Sequence, residues 1–126
     1  MAQRLKGKSA VVTGGGSPVG IGRSVALALA TEGAQVVVND TGRDPDGTSR
    51  ADKVVEEITK AGGTAVANYD SVATMVGGEN IIKTAISNFG RIDILVNCAA
   101  NYKRVQEAFE MTENDWDSII DVHLKG

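Results

Sequence analysis

Apolar and polar positions alternate along the chain in blocks, and the blocks predict a regular succession of strands and helices. Ser9 to Thr13 forms a short β-like run that stops at Gly14-Gly15-Gly16. Ile21, Val25 and Leu29 then recur at helical spacing, so a helix face is expected there, with Gly33 as its stop. Gln35-Val36-Val37-Val38 is β-branched and almost uninterrupted, the pattern of a strand covered on both faces. Residues 41–48 carry Gly, Asp and Pro and read as a loop. Ala51, Val54, Val55 and Ile58 mark a second helix face, closed by Gly62-Gly63. A third strand is expected over residues 64–69. A third helix face follows at Met75, Ile82, Ala85, Ile86 and Phe89, and Gly90 stops it. Residues 92–96 read as the fourth strand. Thr112-Glu113-Asn114-Asp115 has the form of a capping box with Asp in place of the usual Glu. A helix should follow it through Trp116, Ile119, Ile120 and His123.

Strands that alternate with helices in this way predict an α/β fold, a parallel sheet with helices on both faces. Right-handed crossovers leave few topologies, and the doubly wound, Rossmann-type order 3-2-1-4 is the one expected. Composition adds constraints. The chain has 126 residues, so 1–126 is treated as one domain. Its 42% hydrophobic and 23% charged residues belong to a chain that folds rather than one that stays disordered. The formal net charge of −3, with no basic run, argues against nucleic acid or an anionic membrane as partner. After the positive start, only Ala10-Val11-Val12 precedes Thr13, which is too short for a signal-peptide core or a membrane span. A cytoplasmic location is expected. Cys98 is the one cysteine, so no internal disulfide forms, and a reducing compartment fits. At the end of an apolar strand it is expected to be a small buried hydrophobe with an unreactive thiol. No metal site is expected.

The clustered glycines carry the chemistry. Thr13-Gly14-Gly15-Gly16-Ser17-Pro18-Val19-Gly20-Ile21-Gly22 joins the first strand to the first helix. A diphosphate that binds backbone N–H groups at a helix N-terminus needs a turn free of obstructing side chains. A last glycine lets the helix pack close to the strand. Asp40 follows the second strand, twenty residues after Gly20. A carboxylate there can accept hydrogen bonds from both ribose hydroxyls of an adenosine and repels a 2′-phosphate, so NAD is expected over NADP. Arg43, nearby in the loop, is the counter-signal, since it can pair with a phosphate. The plainer reading of Asp40 is a strand-end turn residue.

These residues resemble the short-chain dehydrogenase/reductase family, whose pattern is Thr-Gly, three residues, then Gly-x-Gly. Here five residues, 15–19, separate Gly14 from Gly20, and Pro18 brings no N–H. The resemblance implies cofactor-binding roles at Gly14, Gly16, Ser17, Gly20, Ile21, Gly22 and Asp40. It extends to Asp70 and Ser71, since a family Asp at the end of the third strand contacts the adenine amino group. The same residues, with Thr74, are candidate caps for the following helix. Asn97-Cys98-Ala99-Ala100 is similar to the family's Asn-Asn-Ala-Gly segment, which lies against the adenosine. Asn97 and Ala99 match it, whereas Cys98 stands for Asn and Ala100 for Gly.

The stretch 115–126 resembles the family's Trp-containing helix. There an Asn usually stands at the place of His123, in a catalytic tetrad with Ser, Tyr and Lys. His at this place is similar to the (3R)-hydroxyacyl-CoA dehydrogenase part of multifunctional β-oxidation enzymes, as are Asn39-Asp40 and the runs 51–58, 65–72 and 89–93. His123 is thus the candidate catalytic residue. The alternative has it only edging the core beside Trp116, Ile119 and Ile120. The family's Tyr-x-x-x-Lys pair has no counterpart in these residues: Tyr69 is followed four later by Ala73, and Tyr102 by Gln106. A phenol with a pKa near ~10 needs the Lys to work at neutral pH. The resemblance places Ser, Tyr and Lys beyond residue 126. It implies the cofactor-binding half of an enzyme moving hydride between NAD and a secondary alcohol or ketone, with a 3-hydroxyacyl thioester among the candidates. These residues alone are expected to be inactive. The other reading is a non-catalytic nucleotide-binding or docking half-Rossmann module. In either case the outer edge of the fourth strand is expected to be bare, and to pair with a second copy or another partner.

Overall fold

The computed structural model describes residues 3–102 and 107–126. Met1, Ala2 and Gln106 (the residue four after Tyr102) lie outside the described residues. Strands β1 (Ser9–Thr13), β2 (Gln35–Asn39), β3 (Thr64–Asn68) and β4 (Ile94–Asn97) form one parallel sheet in the order β3-β2-β1-β4. This is the doubly wound arrangement expected. The helices are α1 (Ile21–Thr31), α2 (Arg50–Lys60), α3 (Met75–Phe89) and α4 (Glu113–Ile120). A 3-10 turn at Ala108–Glu110 precedes α4, and a π-helical turn at Asp121–Lys125 continues it.

Alternation along β1 and β2 sorts their valines onto two faces. Val12, Val36 and Val38 pack with Ala26 and Ala30 of α1 and with Ala51, Val54 and Ile58 of α2. Val11 and Val37 point the other way, against Ile81 and Ala85 of α3. Both faces are covered, which is why these strands read as runs rather than alternations.

Two helix faces differ from the expected ones. In α1 the buried line is Gly22, Ala26 and Ala30, one position after Ile21, Val25 and Leu29, and Ile21 is 77% exposed. Small residues let α1 lie close to the sheet, so Val25 and Leu29 pack only at the margin of the core. In α3 the buried line is Gly77, Ile81 and Ala85, while Met75 and Ile86 are exposed. Thr74 caps α3, accepting a hydrogen bond from the Gly77 N–H, so neither Asp70 nor Ser71 is its cap. The capping box at Thr112 and Asp115 forms as expected.

The β1–β4 pair is fastened at both ends. At the lower end the Ser9 N–H donates to the Asp93 carboxylate at 2.9 Å, and the Asp93 N–H donates to the Ser9 carbonyl at 2.9 Å. Because residues 91–93 form this bracket, β4 begins at Ile94 rather than at Ile92. At the upper end the Thr13 hydroxyl accepts hydrogen bonds from the N–H groups of Cys98 and Ala99, each at 3.2 Å. The Arg91 guanidinium, then the Ser9 N–H, hold the Asp93 carboxyl down at about 2.

Two expectations follow. The folded-state pKa of Asp93 is depressed, so its contribution is present above the unfolded value near ~4 and lost as pH falls towards about 2. Asp93→Asn should therefore lower Tm at neutral pH, and its Tm should fall less than the parent's between about pH 5 and 2. Parallel Tm–pH profiles would contradict this. Thr13→Val keeps the shape but strands two partly buried N–H groups, and should cost ~1–3 kcal/mol by urea denaturation. An unchanged midpoint would show that the hydroxyl holds nothing.

Candidate nucleotide site

A polar row closes the sheet at the carboxyl ends of its strands. Register puts Asn68 beside Asn39, Asn39 beside Thr13, and Thr13 beside Asn97. The next residues of the chain, Gly14, Asp40 and Cys98, stand just outside that row. Two hollows open there, of about 560 and about 230 Å³. The larger is lined by Ser17, Gly20, Ile21, Gly22, Asn97 and Cys98, the smaller by Asp70, Ser71, Ala99 and Asn101. Gly14, Asp40 and Ala100 line both, so the two form one cleft. The cleft lies where the chain turns from building towards β2 to building towards β4, the crevice at which doubly wound sheets take ligands.

The turn between β1 and α1 absorbs its two additional residues as an exposed β-turn. The Gly20 N–H donates to the Ser17 carbonyl at 3.0 Å across Pro18 and Val19. Proline is well suited to the second position of such a turn. Gly20 is the N-cap of α1, and no side chain caps it, which leaves amides of the first turn open towards the cleft. At three glycines the crowding comes from the protein itself. A Cβ on Gly14 would lie 2.6 Å from the Cys98 carbonyl, one on Gly16 2.8 Å from the Arg50 Cβ, and one on Gly22 2.4 Å from the Gly14 carbonyl. Gly14 also has a φ of +63°, which favours glycine.

Asp40 faces the turn. One carboxylate oxygen accepts from the Gly16 N–H at 2.8 Å and the other from the Gly42 N–H at 2.7 Å. Each oxygen keeps a further lone pair for a donor in the cleft. Arg43, the expected counter-signal, instead donates to the Gly47 carbonyl at 2.9 Å. Asp70 is held by amides: Asn68 Nδ2 donates to one oxygen at 2.9 Å and Asn80 Nδ2 to the other at 3.1 Å. Asn39 Nδ2 donates to Asn68 Oδ1 and to the Asp70 carbonyl, each at 2.8 Å. Ser71 is exposed, and its Oγ accepts from the Ala73 N–H. A residue not singled out from sequence, Arg50, lines the cleft beside Asp40.

The cleft brings together the eleven expected binding residues except Gly16, which sits behind it and touches it through Asp40. Cys98 differs from expectation. It is half-buried and lines the cleft, because β4 ends at Asn97 and Cys98 belongs to the segment that crosses the glycine turn. His123 is exposed in the π turn and lines neither hollow. Its Nε2 lies 2.9 Å from the carbonyl oxygen and 3.1 Å from the nitrogen of Asn101. It does not edge a core with Trp116, which is exposed. Among the described residues no group of three or more His, Cys, Asp or Glu is placed to hold a metal ion. No helix among them is long and apolar enough to cross a membrane.

The residues fit a dinucleotide: a side-chain-free turn, an uncapped helix start, and a carboxylate with spare lone pairs share one cleft. Similarity to known proteins agrees with that geometry. Peroxisomal multifunctional enzyme A of Dictyostelium discoideum is 50% identical over 130 residues, covering 100% of this chain and 28% of that protein. A solved short chain dehydrogenase from Mycobacterium avium is 45% identical with a TM-score of 0.86, over 97% of this chain and 44% of that one. A 7α-hydroxysteroid dehydrogenase solved with NADH and 7-oxo glycochenodeoxycholic acid is 35% identical with a TM-score of 0.82, over 97% and 44%. The chain thus spans less than half the length of each of these proteins. The model of the family described as short chain dehydrogenase matches residues 8–126, and the chain belongs to that family.

Proposed function

We propose that residues 1–126 are the dinucleotide-binding part of an NAD-dependent short-chain dehydrogenase acting on a secondary alcohol or ketone. The observation that carries this is Asp40, set on the glycine turn at the crossover of the sheet with both oxygens still able to accept. Asp40 would take the adenosine ribose hydroxyls. The first turn of α1 with Gly14, Ser17, Gly20, Ile21 and Gly22 would hold the diphosphate. Asp70 and Ser71 would meet the adenine, and Asn97 and Ala99 would line the cleft. Bound NAD would supply the hydride acceptor. A 3-hydroxyacyl thioester is the favoured substrate class, on the resemblance at His123 and the multifunctional relatives. A solved relative from Burkholderia cenocepacia is in complex with NADP, but the carboxylate at Asp40 favours the unphosphorylated cofactor here. We retain the cytoplasm as the expected compartment, on the lone cysteine, although several relatives carry peroxisomal names.

A second reading has its own observation. Among the described strands β4 pairs only with β1, and exposed Leu95 lies on it. An open strand edge invites pairing. The residues 1–126 alone should therefore self-associate or dock on a partner, and without a Tyr-x-x-x-Lys pair they should show no turnover.

Calorimetric titration of the chain tests the first reading. NAD(H) should bind more tightly than NADP(H), and Asp40→Ala should weaken NAD(H) by ~1–3 kcal/mol. Gly20→Val should abolish binding by a chain that stays folded, since its branched side chain would crowd Ser17 at the mouth of the cleft. Equal affinity of the unmutated chain for the two cofactors would sink the NAD assignment. Light scattering and an assay with 3-hydroxyacyl thioesters test the second. A stable monomer would contradict the edge argument, and robust turnover the argument from the missing pair.

A further inference from the structure

Behind the cleft, between the glycine turn and α2, lies a smaller hollow of about 180 Å³. Three cations line it: Arg23, Arg50 and Lys53. Arg50 also lines the nucleotide cleft, so its side chain is the wall between the two. Its position is fixed by the backbone. The Arg50 N–H donates to the Gly42 carbonyl at 3.1 Å. A Cβ on Gly42 would sit 3.1 Å from Arg50 Cδ, 3.5 Å from its Nη1, and 2.9 Å from Asp40 Oδ1. The guanidinium and the Asp40 carboxylate therefore flank one residue.

That guanidinium is engaged by an acid. Arg50 Nε donates to Asp44 Oδ1 at 3.1 Å, and Lys53 Nζ donates to the other Asp44 oxygen. Lys53 first, then Arg50, holds the Asp44 carboxyl below its ordinary range. Arg23 is taken up by both oxygens of Glu57. The two cations Arg50 and Lys53 are thus balanced by the two carboxylates Asp40 and Asp44. A phosphate on the 2′ oxygen of a ribose at Asp40 would meet no net positive charge, and the guanidinium nearest to it is tethered to Asp44 through Nε.

We propose that Arg50 and Lys53 form a latent phosphate subsite at the ribose end of the cleft, and that Asp44 keeps it closed. Asp44 is then a second determinant of cofactor choice beside Asp40. With Asp44 neutral, the same four positions carry a net charge of +1, and Arg50 Nε is released to join its Nη groups on a phosphate. This rests on the reading of the cleft as a nucleotide site with the ribose at Asp40.

The test is calorimetry at low salt on the full 126-residue chain with NAD+, NADP+, ADP and 2′,5′-ADP. Asp44→Asn and Asp44→Ser should each bind NADP+ and 2′,5′-ADP about tenfold more tightly than the parent, the scale of one added charge-assisted hydrogen bond. NAD+ and ADP should change by less than about twofold, since they bring no 2′-phosphate. The gain should shrink as salt is raised and vanish in Asp44→Asn/Arg50→Gln. Variants that bind NAD+ as the parent does, yet gain nothing for NADP+, would overturn the proposal and leave the nucleotide reading intact. A gain that survives loss of Arg50 would also overturn it. A folded parent that binds none of the four ligands would remove the nucleotide reading, and this proposal with it.

Discussion

Three backbone segments meet at one point where Gly14 and Gly22 leave no Cβ between them, and the rest of the site depends on that contact. The end of β1 turns at Gly14, α1 starts over it at Gly22, and the segment after β4 crosses both at Cys98 and Ala99. A single Cβ at Gly14 or Gly22 would overlap a carbonyl oxygen. The Thr13 hydroxyl then ties the crossing segment down by two N–H groups. Because these segments lie so close, the start of α1, the end of β2 and the segment after β4 border one cleft. Gly16 repeats the device against α2, and brings Arg50 to the same place.

Much of this is legible along the chain. The valine runs of β1 and β2 and the glycine stops set the element order, since strand and helix periods differ and glycine ends helices cheaply. Asp40 and the glycine turn are neighbours of such elements, so their meeting follows from topology. The α1 face was less legible. Ile21, Val25 and Leu29 are the larger apolar residues, but close helix–sheet packing selects Gly22, Ala26 and Ala30. The Asp93 bracket that shortens β4 joins residues 84 apart in sequence and leaves no local pattern.

The same limit applies within the site. Thr13, Asn39, Asn68 and Asn80 position the cleft by hydrogen bonds between different elements, and the motifs that contain Thr13, Asn39 and Asn68 do not reveal those partners. Arg50 reads as a polar helix start, and only the fold sets it beside Asp40. His123 was legible as a departure from the family's Asn. The structure gives it a partner, Asn101, which lines the smaller hollow of the cleft with Asp70 and Ser71. Its observed contact is therefore with the wall of the site, and the π turn that carries it is a form frequent near functional sites.

On this reading the cleft at the carboxyl ends of the strands takes a nicotinamide dinucleotide across the glycine turn. Amide chemical shifts of the labelled chain, followed as NAD+ is added, test it most directly. Saturable shifts should be concentrated at residues 14–22, at Asp40, at Asp70 and Ser71, and at residues 97–101, with α3 and the lower ends of the strands unmoved. A folded chain whose amides do not respond, or respond elsewhere than along that cleft, would contradict it.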